Sequence, residues 1–267
     1  MKKIISQTGE SYRLAALFCF AAFPLFFIPV FFEGLQHAAE VWLGMFEQNR
    51  ADVFGADEQK IRLMFGALKV LSLMAVFAFV PRYFIHNQSV KKALSFSPKA
   101  KMYIATAFLG MVVLVVWVFI LGPNLVSMVY TGATPTQKML IPLVMVLILG
   151  FPMQNGMNKW VTQVFDDAPL RSGENAALNK AFKGGASPVI IVSILPMMIL
   201  HYGLNIWAMG QSLGLIVVLL IADSLLVGFM GVLMGASAYV VYRYARKPGS
   251  VDGRYKFPAT SLLKKTP

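Results

Sequence analysis

Glu33, His37 and Glu40 follow one another at intervals of four and three in FFEGLQHAAE, residues 31–40, directly after an almost unbroken apolar run. On a helix this spacing gathers two carboxylates and an imidazole on one face. Such a set suits metal ligation or a proton relay between carboxylate and imidazole. A structural metal site usually needs four ligands, and nothing else nearby in the sequence completes the set. His201 is the one remote candidate on the same side. The expectation is therefore a solvated, charged helix face with no metal and no cofactor.

Asp223, in LLIADSLLVGF, stands well inside an apolar block. A carboxylate near the middle of a bilayer costs on the order of 2.5–3.5 kcal/mol on the insertion scale. Intramembrane acids usually face the bundle interior and often mark an ion or substrate path; the alternative is a hydrogen bond that joins helices. His201 and Asn205 share the outer part of LPMMILHYGLNIW. The expected polar path runs through Asp223, His201 and Asn205, with Glu33 and His37 at its outer mouth. Ser224, Gly228, Gly231 and Gly235 alternate by four and three in the same block, and GVLMG is a GxxxG. Small residues let helix backbones approach closely, so this stripe is expected to pack on another helix, in the same chain or in a second copy.

The elements that must position these residues follow from composition. Of 267 residues, 57% are hydrophobic and 13% charged, about half the charge of an ordinary soluble domain. Six apolar blocks, at 14–32, 64–82, 102–122, 139–157, 188–208 and 213–242, are each long enough for a transmembrane helix. In lipid the backbone must satisfy its own hydrogen bonds, which dictates helices. The fold class is an all-α membrane protein: a bundle of about six transmembrane helices over 14–242, with tails at 1–13 and 243–267. Residues 33–48 read as one amphipathic helix, at the outer interface or continuing the first block outward, with a bend at Gly34 and an apolar stripe of Leu35, Ala38, Trp42 and Met45. Pro24 and Pro29, Pro142 and Pro152, and Pro196 interrupt the first, fourth and fifth blocks. In transporters such breaks often flank the binding site.

Lysine and arginine set the orientation. Most of the 24 lie in the N-terminal tail, after the second and fourth blocks, and in the C-terminal tail; Arg50, Lys60, Arg62, Lys69 and Lys138 fall on the other side. Both termini are expected in the cytoplasm, in the plasma (inner) membrane. The net charge of +12 fits attraction to anionic lipids of the inner leaflet, without a nucleic-acid partner.

Several activities lack their residues. There is no GxxxxGK[ST] phosphate loop and no HExxH. The single Cys19 excludes an internal disulfide. The expected function is a small permease or transport-related protein rather than an enzyme. The alternative is a non-catalytic accessory or assembly subunit. Either could form a homodimer or bind a membrane-protein partner through the glycine stripe.

Overall fold

A computed structural model of the chain describes residues 2–47, 56–117, 121–133 and 187–245, together with residues 137, 138, 141 and 145. The described residues are helical, with no strand among them. The elements are α1 (Lys2–Ala21), α2 (Phe23–Trp42), α3 (Ala56–Ile85), α4 (Val90–Leu94), α5 (Pro98–Val116), α6 (Gly122–Val129), α7 (Ser187–Ala208) and α8 (Leu213–Ala245). The chain divides into two compact units, one of Met1–Ser95 with Ala176–Pro267 and one of Phe96–Asn175. The first unit carries α1–α4, α7 and α8; the second carries α5 and α6.

Among the described residues, three helices are long and apolar enough to cross a membrane: Met64–Ile85, Pro188–Ala208 and Leu213–Arg243. Counting the bent pair α1–α2 as one span makes four. Three or four apolar helices suggest a membrane-embedded protein, and they match the blocks at 64–82, 188–208 and 213–242. This is fewer than the six spans expected. The block at 102–122 is helical as α5 as far as Val116, and most of the block at 139–157 lies outside the described residues.

The first block, 14–32, is not one straight span. α1 and α2 meet at an angle of 95°. Ala22 leaves the helical region (φ −124°, ψ 43°), and Pro24 occupies the first turn of α2. Proline has no N–H to give the preceding turn, and its ring is accommodated without cost only in the first turn of a helix. The break therefore falls just before it. Pro29 lies inside α2, Pro81 inside α3 and Pro196 inside α7 without a comparable break.

Of the two placements expected for 33–48, the structure has the continuation of the first block rather than a separate interfacial helix. Residues 33–42 continue α2 without interruption from Phe23. The bend expected at Gly34 is absent, and the chain turns instead at Gly44 (φ +67°).

α8 is the axis of the first unit, with α1, α2, α3 and α7 all packed on it. Phe18 of α1, Val76 and Val80 of α3, and Val232, Leu233 and Ala236 of α8 form its fully buried apolar centre. The glycine stripe explains how close these helices come. A Cβ on Gly228 would collide with Val30 and Phe26 of α2, and one on Gly231 would lie 2.6 Å from Leu73 of α3. One on Gly235 would lie 2.8 Å from the Val80 Cβ and 3.2 Å from the Phe77 carbonyl. At the opposite end from Asp223, buried Arg82 donates to the carbonyls of Ala93 (2.9 Å) and Ser95 (2.7 Å), fixing α4 beneath α3.

Candidate polar site inside the bundle

α2 is amphipathic, but inverted relative to a helix in water. Phe27, Phe31, Leu35 and Trp42 are exposed, Trp42 by 82%, while Glu33, Gln36, His37 and Glu40 are buried. Lipid reverses the usual preference: apolar side chains can face outward, and polar groups gain by meeting one another inside. The acidic face read as solvated thus points into the bundle, where partners from three other helices meet it.

Asp223 is the centre. It lies ten residues into α8, about 15 Å along the helix from Leu213, and is fully buried. His201 Nδ1 is 2.7 Å from its Oδ1, and His37 Nε2 is 2.9 Å from its Oδ2. Asn205 Nδ2 donates to Oδ2 (2.8 Å) and also to the His201 carbonyl (2.9 Å). Residues 201 and 205 share one face of α7 because they are four apart. The other ring nitrogen of His37, Nδ1, lies 2.8 Å from Glu40 Oε2, and Gln36 donates to Glu40 Oε1 at 2.9 Å. Glu33 completes the set: Oε2 is 2.9 Å from Lys69 Nζ of α3, and Oε1 is 3.4 Å from His37 Nε2. Neither Glu33 oxygen receives a well-aligned hydrogen bond, although the side chain is fully buried.

No protein family, curated protein or solved structure matches this chain. The site's own chemistry is therefore the guide to function. Among the described residues, the buried carboxylates of Glu33, Glu40 and Asp223 gather around His37, His201 and Lys69. Removing charges from water costs several kcal/mol per ion even after relaxation. The arrangement calls for a cation: protons on the imidazoles, or a positively charged species drawn in from outside.

All five residues of the expected polar path, Asp223, His201, Asn205, Glu33 and His37, meet here. Glu33 and His37 are not at an outer mouth, however. That end of the bundle is closed by Phe46, packed on Ala208, Ile216, Leu219 and Leu220. The Phe46 carbonyl accepts from Gly210 N–H (2.8 Å), tying the end of α2 to the α7–α8 turn. Beside it lies only a shallow pocket lined by Val41, Gly44, Glu47 and Gln211, among others.

The sequence reading missed Lys69 and Gln36; it put Glu40 on the face of Glu33 and His37 but left it out of the polar path. Lys69 was counted as a charge of the outer side, yet it lies five residues inside the Met64–Ile85 span. A lysine within an apolar span needs an acidic partner, which is the signal that would have found it.

Proposed function

We propose that this protein is a small multi-pass permease of the plasma (inner) membrane, with both termini cytoplasmic, about six spans in all, and a cation as its substrate. The observation that carries this reading is the convergence of Glu33, His37, Glu40, Lys69, His201 and Asp223 inside one bundle. A structural linkage between helices would be served by one neutral hydrogen bond. A cluster of six ionisable groups from four helices is an expensive way to hold a bundle together, whereas a cation pathway requires such groups. The Phe46 closure supplies a place where the outer end can open.

The alternative, an accessory subunit docked through the glycines of α8, would need a different surface. Gly228, Gly231 and Gly235 are covered by α2 and α3 of the same chain.

The test is electrical. Purified protein in liposomes adsorbed to a solid-supported membrane should give a protein-dependent current on rapid exposure to at least one of K⁺, ammonium, alkylammonium, Mg²⁺ or Zn²⁺. Asp223→Asn should abolish it. A current of wild-type size in Asp223→Asn, or none with any of these cations, removes the reading.

A further inference from the structure

We propose that the buried cluster is a binding site for a divalent transition-metal ion of the zinc class, held by Glu33, His37, His201 and Asp223. The inference deepens the cation-permease reading and rests on it for the transport half only. It also departs from the expectation of no metal, for a structural reason: α7 and α8 bring to α2 the ligands that its own sequence lacks.

The geometry is the first support. One ligand atom from each of Glu33, His201 and Asp223 lies within 4.8 Å of the others. His37 Nε2, 2.9 Å from Asp223 and 3.4 Å from Glu33, stands outside that group of three and would complete a four-ligand set by moving toward His201. In a tetrahedral site with bonds of about 2.0–2.1 Å, ligand atoms stand roughly 3.3 Å apart. His201 and Asp223, now 2.7 Å apart, need to separate by only about half an ångström, while Glu33 closes in.

The second support is the burial of Glu33. Its carboxylate is fully buried and ion-paired to Lys69 at 2.9 Å, yet neither oxygen receives a well-aligned hydrogen bond. A buried carboxylate left in that state is costly, and an ion between it and Asp223 satisfies it. Two imidazoles and two carboxylates form a nitrogen–oxygen set that suits zinc, cobalt or nickel better than magnesium or calcium, which prefer oxygen alone. Outside the ligands, Glu40 accepts from His37 Nδ1 and leaves Nε2 facing the site. That is the carboxylate–histidine–metal arrangement of many metal centres. Lys69 is the opposing charge, and it competes with the ion for Glu33.

Full-length protein in nanodiscs, stripped with a chelator, should bind one Zn²⁺ per chain. Co²⁺ in its place should show the visible absorption of a four-coordinate site. X-ray absorption at the zinc edge of the unmodified protein, which depends on no variant folding, should report two imidazole ligands. Glu33→Gln and His201→Ala should abolish stoichiometric binding, and Glu40→Gln should weaken it about tenfold. Lys69→Gln should tighten it by about tenfold or more. Failure to bind Zn²⁺, fewer than two imidazoles at the ion, or binding indifferent to all four substitutions would overturn the proposal. Zinc bound without a current from any cation leaves the metal site and removes the permease. A current carried by other cations without zinc binding does the reverse.

Discussion

Glu33 and Lys69 form an ion pair on the edge of the cluster, and removing either partner strands the other. Breaking a buried pair from one side typically costs about 3–5 kcal/mol, whereas replacing both partners is far milder. Lys69→Met should therefore lower the unfolding midpoint in chelator-containing detergent, and Glu33→Gln/Lys69→Met should recover most of the loss. Equal destabilisation in single and double variants would show that the two side chains do not interact. Individual residues were only partly legible in the sequence. Asp223 was conspicuous as an acid in a long apolar run, and His201 and Asn205 were noticed because they lie together near the end of a proline-broken helix. Glu33, His37 and Glu40 were seen to share a face, but the preferred direction of that face was wrong. Periodicity gives the angle between polar and apolar sides, while the surrounding medium decides which one turns inward. Lys69 escaped because its place near the start of the 64–82 block resembles that of a loop charge.

Among the elements, α8 owes its central place to residues that have almost no side chain. Gly235 meets both Val80 and the Phe77 carbonyl, so a larger side chain there must push against backbone. Gly235→Val should destabilise the bundle by about 1–3 kcal/mol, as over-packing commonly does, read from thermal unfolding in detergent. Gly203, with nothing near its Cβ position, is the control, and Gly203→Ala should change little. The glycine spacing was visible in the sequence, but it did not say whether the facing helix came from this chain or from another; the structure puts α2 and α3 there. Pro24 was likewise recognised as an interruption, although block 14–32 was read as a single span. Hydropathy averages over such a window and is blind to an angle, so the 95° turn at Ala22 had no counterpart in composition.

At the scale of the molecule, the arrangement of α2 requires lipid. Phe27, Phe31, Leu35 and Trp42 on its outer face would be an aggregating surface in water. A variant keeping only Trp42 among the four tryptophans should lose fluorescence when reconstituted with brominated lipids, and a Trp207-only variant should behave alike because Trp207 is also exposed. Undiminished emission from Trp42 would place α2 away from the bilayer. The same inverted helix has a consequence for synthesis. His37 and the Asp223 that it contacts are 186 residues apart, and at about 5–20 residues per second a ribosome needs roughly ten seconds or more to make the second after the first. Throughout that interval α2 is a nascent segment with a glutamate, a histidine and another glutamate on one flank, and of their partners on other helices only Lys69 is made early. A message truncated before the last helix should therefore leave a chain that insertion chaperones must shelter or quality-control proteases remove.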